Sequence, residues 1–253
     1  MSKIKFEIAI DNVASALAVQ KSGADSIELC AGLSEGGTTP SVGMIRKCRE
    51  LLDIKIFVMI RPRRGDFLFS EPEIEVMLED IAVAKEEGAD GVVIGLLQPN
   101  GEIDVQNTKR LVAAARPMSV TFHRAFDMTP DPVAAIQGLK ACGVDRVLTS
   151  GQQVSAAEGI ELIKILIKEA GDELVILPGG GITLSNLDEI LVDGVKEVHV
   201  TAAERVESLM ESRNEWVDLS DEKGISEYEH VQTIPSIVNE MKKVLDTNYR
   251  APV

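Results

Sequence analysis

The chain has 253 residues, of which 41 are acidic and 26 are Lys or Arg, so its formal net charge at pH 7 is −15. This excess of acid argues against a nucleic-acid partner and an acidic lipid surface, because binding to phosphates needs a basic face. Hydrophobic residues make up 45% of the sequence, which is the composition of a globular protein rather than a disordered one.

The start of the chain and its cysteines indicate a cytoplasmic protein. Glu7 comes too early for a secretory signal, and no apolar run approaches the ~20 residues of a membrane span. The three cysteines, Cys30, Cys48 and Cys142, are odd in number and widely spaced, which favours a reducing compartment. We therefore expect a cytoplasmic location and no membrane partner.

A short Gly-containing motif recurs four times and precedes every second predicted strand. It begins at Gly23, Gly88, Gly143 and Gly194. Each Gly follows an amphipathic stretch, where it ends a helix in a left-handed conformation, and β-branched residues after it open a buried strand. The spacing between successive motifs fits two strand–helix units of ~30 residues each. Four such pairs predict eight strands.

The alternate strands lie between these motifs, at residues 5–10, 56–60, 119–123 and 174–177. The intervening helices show apolar residues at the helical period of 3.6, and strict alternation of strand and helix predicts a parallel sheet. Eight units close most naturally as one (β/α)8 TIM-barrel domain over residues 1–253. An open doubly wound sheet is the alternative, but no early GxGxxG motif supports it. We expect no organic cofactor.

The stretch from about 201 to 235 breaks the alternation and is predicted to be irregular, before a last helix at about 236–249. It is too long for an ordinary connection and contains Trp216 and Tyr228. A lid or a disordered segment are alternatives. Because Trp and Tyr favour interfaces, we predict a contact in a homodimer or a higher homo-oligomer.

The alternation of side chains along the predicted strands places polar groups inside the barrel, at the strand ends where barrel sites lie. Charges there are costly unless they are paired. A purely structural network is one interpretation, whereas titratable groups gathered at one barrel end are typical of a functional site. The predicted interior polar residues are Glu7, Glu28, Arg61, His123, Glu197 and His199.

Two groups of residues favour an anionic ligand at the barrel mouth. Arg61 and Arg63 follow the third strand and Arg124 follows the fifth, so cations gather at one rim. Glycines 179–181 follow the seventh strand, where exposed amides can bind phosphate, although a tight turn alone would also use them. Thr149 and Ser150, after the sixth strand, offer hydroxyl donors or simply begin a helix. The predicted anion-binding residues are Arg61, Arg63, Arg124, Thr149, Ser150, Gly179, Gly180 and Gly181.

An enzyme hypothesis follows from this set. Arg61 and Arg63 would hold a small anionic or phosphorylated substrate, His123 would act as general acid or base, and Glu7 or Glu28 would be its carboxylate partner. Sulfur and imidazole ligands that suit Cu(I) could also reach the interior: Cys30, Met59, His123 and His199. A buried Cys that acts as a small hydrophobe is the simpler interpretation of Cys30.

Several longer motifs resemble the CutC family of copper homeostasis proteins. They lie at residues 27–30 (IELC), 35–41 (EGGTTPS), 59–63 (MIRPR), 121–127 (TFHRAFD) and 178–182 (PGGGI). The resemblance runs from about Lys5 to Ala203 and implies a (β/α)8 barrel and cytosolic copper handling. It also implies Cu(I) binding with Cys30 as the matching thiol, while the further cysteines of some members have no counterpart here.

Two hypotheses of function result. The first is a cytosolic copper homeostasis protein that binds Cu(I), as the resemblance implies. The alternative is a TIM-barrel enzyme that acts on a small anion, as the interior residues indicate. We adopt the first as the expected function and keep the enzyme as the alternative.

Overall fold

The computed structural model of the protein describes residues 3–214, 216–220 and 224–248. Its main feature is a sheet of eight parallel strands, which confirms the (β/α)8 barrel predicted from the repeated motif. The strands are β1 (Lys5–Ile10), β2 (Ser26–Leu29), β3 (Lys55–Met59), β4 (Gly91–Ile94), β5 (Ser119–Phe122), β6 (Arg146–Thr149), β7 (Val175–Pro178) and β8 (Glu197–Val200).

Helices follow the strands and cover the outside of the barrel. They are α1 (Val13–Gln20), α2 (Val42–Leu51), α3 (Glu71–Glu86), α4 (Val105–Ala115), α5 (Pro132–Cys142), α6 (Ile160–Ala170), α7 (Leu187–Ile190) and α8 (Pro235–Asn248). Short 3₁₀ turns lie at Leu33–Glu35 and Arg124–Met128. Within the described part of the chain, no helix combines the length and the apolar character needed to cross a membrane.

The eight strands are hydrogen-bonded in the order β7-β6-β5-β4-β3-β2-β1-β8. A parallel bridge between Gly179 and His199 joins the carboxyl-terminal ends of β7 and β8, so the sheet is nearly closed. In this register Glu7 on β1 lies beside Ser26 on β2 and beside His199 on β8, while Ala9 lies beside Glu28. The pairing therefore aligns the inward-facing positions of neighbouring strands.

The glycines that open the repeated motif adopt the conformation that their position predicts. Gly23, Gly88, Gly143 and Gly194 have φ angles of 73°, 81°, 78° and 90°, in the left-handed region. At the end of α5, the Gly143 amide donates to the Leu139 and Lys140 carbonyls. A side chain at such a φ is strained, so glycine fits these helix ends.

The outward-facing side chains of the strands pack against the helices and form the main core. On β1, Phe6, Ile8 and Ile10 are fully buried, as are Ile74 and Met77 on α3. Each fully buried side chain of this size contributes about 1.5–3 kcal/mol relative to an exposed one. The barrel interior is therefore free to hold polar residues, because the layer between sheet and helices supplies most of the apolar burial.

The segment predicted to be irregular contains an antiparallel ribbon of two strands, β9 (Ala203–Glu207) and β10 (Glu229–Thr233). Most of its side chains are charged or polar and not fully buried, so the sequence lacks the apolar alternation that identifies a strand. Hydrogen bonds from Asn12 Nδ2 to the Val231 carbonyl and from the Thr233 amide to Ser15 Oγ hold β10 against the start of α1. The ribbon is thus attached to the barrel.

Candidate functional site

A buried ionic cluster centred on Arg146 lies inside the barrel, where β6 and β8 begin. The guanidinium places Nη2 2.9 Å from Glu7 Oε2 and Nη1 2.9 Å from Glu197 Oε2, and its Nε donates to Thr121 Oγ1 at 2.9 Å. It also lies 3.6 Å from the centroid of the Phe57 ring. These contacts confirm that the side chains predicted to face inward from β1, β3, β5 and β8 share one interior.

Arg146 is not among the site residues predicted from the sequence, because the motif that contains it served only to locate a strand. Alternation along β6 would have identified it, since Leu148, two residues later, also faces the interior. Arg146 is 5% exposed and has carboxylates on two sides. Arg146 is therefore the cation that offsets the cost of burying the Glu7 and Glu197 charges, a role to which no residue was assigned from the sequence.

Three titratable residues meet above this cluster. His199 Nδ1 lies 3.1 Å from Glu7 Oε1. Burial alone would raise the pKa of Glu7, but Arg146 and then His199 outweigh it and lower that pKa to about 2. Burial raises the pKa of Glu28. Burial also works to lower the pKa of His199, yet the Glu28 and Glu7 carboxylates reverse this and leave it raised.

The same three residues could hold a metal ion, since one ligand atom from each of Glu7, Glu28 and His199 lies within 4.8 Å of the others. Two carboxylates and an imidazole form a harder ligand set than Cu(I) prefers. Arg146 already serves as the counter-ion of Glu7. The cluster therefore suits a divalent cation better than Cu(I), and a cation there would compete with Arg146.

The mouth of the barrel contains a cavity of about 460 Å³. Its wall brings together side chains from β2, β3 and β8 with the turns that follow β5 and β7. Several residues predicted from sequence as site residues line it: Glu28, Arg61, His123, Arg124, Gly180 and Gly181. His199 lines it as well, whereas Glu7 lies deeper, in the cluster around Arg146.

Arg61 and His123 approach each other across this wall, and the ring of Phe67 lies between them. The Phe67 ring centroid is 4.9 Å from the Arg61 guanidinium carbon and 5.1 Å from the His123 ring centroid. Arg61 donates to the carbonyls of Gly37 at 3.0 Å and Gly65 at 2.8 Å. Burial, together with the Arg61 charge, lowers the pKa of His123 to about 3, so its imidazole is neutral at physiological pH. A neutral imidazole donates a hydrogen bond from one ring nitrogen and accepts one at the other, and the role of general acid or base predicted for His123 stays a prediction.

The other predicted anion-binding residues lie outside the cavity wall and are bound by protein groups. Arg63 Nε donates to Glu73 Oε1 at 2.6 Å, and its Nη2 donates to Asp66 Oδ1 at 3.0 Å. Thr149 Oγ1 and Ser150 Oγ both donate to the Asp127 carboxylate. Apart from the local Arg63–Asp66 pair, these contacts join residues at least ten positions apart, and strand alternation does not reveal them.

Gly179 also lies outside the cavity wall. Its amide donates to the Thr149 carbonyl at 2.9 Å. A Cβ added to Gly179 would lie 2.4 Å from Leu148 Cδ1 and 3.2 Å from His199 Cβ. The absence of a side chain at this position therefore allows the ends of β7 and β8 to approach each other.

The predicted metal ligand, Cys30, is fully buried beside the cavity. Its Sγ lies 3.5 Å from Glu28 Oε1, and burial raises the pKa of the thiol well above 9, an effect that the Glu28 charge strengthens. A Cβ added to Gly37 would lie 3.1 Å from Cys30 Sγ and 3.5 Å from the methyl carbon of Met59. The two sulfur-containing side chains therefore meet at Gly37, and Met59 continues into the cavity wall.

Comparison with known proteins gives a consistent family match. The model of the CutC family matches residues 4–204. The human copper homeostasis protein cutC homolog is 51% identical over 223 residues, which cover 88% of this chain and 82% of the human protein. A family protein CutC of Bacteroides thetaiotaomicron is 44% identical over 247 residues, covering 96% of this chain and 99% of that protein.

Solved structures agree with the sequence match. The crystal structure of a copper homeostasis protein CutC from Streptococcus agalactiae aligns with a TM-score of 0.75 at 36% identity, over 78% of this chain and 98% of that one. Thiamine phosphate pyrophosphorylase from Pyrococcus furiosus aligns with a TM-score of 0.60 at 15% identity, over 98% of both chains. The second likeness shows the barrel fold alone.

Proposed function

Because this chain belongs to the CutC family, we propose that it is a copper homeostasis protein that binds Cu(I) beside the barrel mouth, with Cys30 as the principal ligand. The observation that carries the proposal is that Cys30 Sγ and the terminal methyl group of Met59 both lie beside Gly37, within 3.5 Å of the position that a Cβ there would take. Thiolate and thioether sulfur are the soft ligands that Cu(I) prefers.

The positions of the two sulfurs suggest how copper would arrive. Met59 lines the cavity, whereas Cys30 is fully buried next to it, so Cu(I) would meet the thioether first. The Cys30 thiol is protonated, because burial raises its pKa. Binding therefore releases a proton, as metal binding to a thiol does. Met59 acts as the entry ligand and Cys30 as the final one.

A Cu(I) titration under reducing conditions, against a chromophoric chelator, tests this site. We expect Cys30→Ser to weaken Cu(I) binding at least tenfold, because a hydroxyl is a poor ligand for a soft ion. Met59→Leu should weaken it by a smaller factor. Cys48→Ser is the matched control, since Cys48 is also buried and lies 3.9 Å from a methionine sulfur, that of Met44.

Equal Cu(I) affinity in the wild type, Cys30→Ser and Cys48→Ser would contradict the site. Loss of binding in Cys48→Ser alone would assign copper to the pair on α2 instead. Circular dichroism of each variant shows whether it is folded, and Met59→Leu keeps the test informative if Cys30→Ser is unstable.

We place this function in the cytoplasm and in a homo-oligomer. All three cysteines are free and buried, which fits a reducing compartment. Trp216, in the segment between β9 and β10, is 95% exposed. A second copy of the chain is the partner that we propose for this side chain, because large aromatic residues are enriched at interfaces.

The mouth cavity favours a second candidate function, an enzyme that acts on a small anion. Titratable residues with shifted pKa values lie in its wall. His199 lines the cavity, pairs with Glu7 and has a raised pKa, which suits a proton donor. Glu28, with its pKa raised by burial, lines the same wall. In this candidate function the acid–base residues are His199 and Glu28, with Glu7 orienting His199.

A further inference from the structure

Three buried polar atoms without a hydrogen-bond partner belong to residues that line the mouth cavity. They are Glu28 Oε2, Arg61 Nε and His123 Nε2. Elsewhere among the described residues, three more buried side-chain atoms lack a hydrogen bond. Two of them, Arg146 Nη2 and Lys242 Nζ, have an ion pair instead, which leaves Thr108 Oγ1. An unsatisfied buried polar group costs about 1–3 kcal/mol. Each of the three atoms has less than 1 Å² of accessible surface, so they lie just behind the cavity wall and a ligand reaches them after a small movement of their side chains. Three such atoms around one cavity point to a ligand that supplies their partners.

The proton of His123 can be placed from its backbone contact. The Ala125 amide donates to His123 Nδ1 at 3.1 Å, so Nδ1 is an acceptor and carries no proton. In a neutral imidazole the proton then lies on Nε2. His123 is therefore a hydrogen-bond donor toward an acceptor atom of the ligand.

Arg61 supplies positive charge to the same wall. Its guanidinium donates to backbone carbonyls, including those of Gly37 and Gly65, and it forms no ion pair with a carboxylate among the residues that the structure describes. Arg61 is 5% exposed. A buried guanidinium without a counter-ion attracts an anion, because an uncompensated buried charge is costly.

The turn after β7 provides a second group of donors in the cavity wall. Gly180 and Gly181 have φ angles of 97° and 65°, and the described residues offer no acceptor to their amides. A Cβ added to Gly180 would lie 3.0 Å from Arg124 Nη1, so the turn leaves its backbone open beside a guanidinium. Arg124 Nε is paired with Asp127 Oδ2 at 2.8 Å and Nη2 donates to Ser150 Oγ at 2.7 Å, so Nη1 is the donor that faces the turn. Consecutive free amides next to a guanidinium donor form a phosphate-binding arrangement.

We propose that the mouth cavity binds a small hydroxylated organic phosphate. The phosphate group contacts the Gly180 and Gly181 amides and Arg124. Oxygen atoms at the other end of the ligand accept from Arg61 Nε and His123 Nε2, and a ligand hydroxyl pairs with Glu28 Oε2. A hydroxyl suits this last position because it can both donate and accept. A cavity of about 460 Å³ lies within the ~300–1,000 Å³ of small-molecule sites. This inference deepens the second candidate function by naming its substrate class.

Calorimetric titration with ribose 5-phosphate, at constant ionic strength, tests the site. Ribose and inorganic phosphate, titrated separately, show what each end of the ligand contributes. We expect ribose 5-phosphate to bind at least tenfold more tightly than phosphate, and ribose alone to show no binding. Arg61→Lys and Gly180→Ala should each weaken ribose 5-phosphate at least tenfold. Arg110→Lys is the matched control, because Arg110 pairs with Glu71 on the outer surface.

Several outcomes would overturn the proposal. They are no binding of ribose 5-phosphate, equal affinity for ribose 5-phosphate and phosphate, or unchanged affinity in both Arg61→Lys and Gly180→Ala. The two variants lie on different strands' turns, so a folding defect in one leaves the other informative. Gly180→Ala should weaken ribose 5-phosphate binding and leave Cu(I) binding unchanged, because Gly180 lies against Arg124 and Ser150 rather than against Cys30 or Met59. Failure of the copper site and failure of this site are therefore separate results.

Discussion

The residue with the largest structural influence in the barrel interior is Arg146, which pairs with Glu7 and Glu197 away from solvent. Arg146→Met keeps much of the side-chain volume and removes the charge. We expect the free energy of unfolding at pH 7 to fall by about 3–5 kcal/mol, because two buried carboxylates lose their counter-ion. Urea unfolding measures the change. Arg110→Met, which breaks an exposed pair, should cost only about 0–1 kcal/mol.

The pH dependence of this difference follows from Glu7. Its pKa in the folded wild type is about 2, below the ordinary 4.5, so its ionised form adds stability above pH 4.5 that is lost as the pH falls toward 2. Without Arg146, burial raises the pKa of Glu7, so its carboxylate takes up a proton at a higher pH than in the wild type. The stability gap between wild type and Arg146→Met should therefore narrow as the pH falls, first through the raised pKa of Glu7 in the variant and then, below pH 4.5, as the wild type loses the contribution of its ionised Glu7. A gap that stays constant with pH would show that packing, not charge, accounts for the loss.

At the scale of elements, the end of β4 determines where His123 can lie. A Cβ added to Gly95 would lie 2.2 Å from His123 Cε1, closer than any real contact. Gly95→Ala should therefore displace the imidazole, lower the free energy of unfolding by about 1–3 kcal/mol and weaken ribose 5-phosphate binding. Gly138→Ala, within α5, is the control: its nearest contact would be 3.9 Å away, at Val105. It should stabilise the protein by up to about 1 kcal/mol.

A Gly95→Ala protein with wild-type stability and wild-type ligand binding would show that the added methyl does not displace the imidazole, contrary to the clash at Gly95. Loss of stability without loss of binding would remove His123 from the site, because the ligand would bind although the imidazole is displaced. Thermal unfolding with and without ribose 5-phosphate distinguishes these results.

The elements of the barrel could be predicted because their signals are local. The prediction for β1 matches its bounds, and alternation along it correctly assigned Glu7 to the interior. The contacts of Arg63 and of Ser150 could not be predicted in this way. Both side chains lie just after a strand, where the alternation of side chains ends. Arg63 binds Glu73 on α3, and Ser150 binds Asp127 in the turn after β5. Such contacts depend on tertiary distances that no sequence period encodes.

At the scale of the whole molecule, charge and apolar surface act in opposite directions on self-association. The net charge of −15 repels a second copy, and this repulsion is screened by salt over about 8–10 Å at physiological ionic strength. Several large apolar side chains lie exposed between β9 and β10. They are Leu209, Met210, Trp216, Val217 and Leu219. Apolar side chains gathered in one segment are typical of an interaction surface rather than of a monomer.

We therefore predict a dimer or larger assembly that strengthens as salt is raised, because salt weakens the repulsion but leaves the apolar attraction intact. Light scattering coupled to size exclusion should give a mass at least twice 27.4 kDa. The assembled fraction should be larger in 0.5 M than in 0.05 M sodium chloride, where the Debye screening lengths are about 4 Å and about 14 Å. Trp216→Ser should shift the equilibrium toward the monomer. Val154→Ser, which removes another highly exposed apolar side chain, from the loop before α6, should not. A single species of 27.4 kDa at every salt and protein concentration would contradict the predicted assembly.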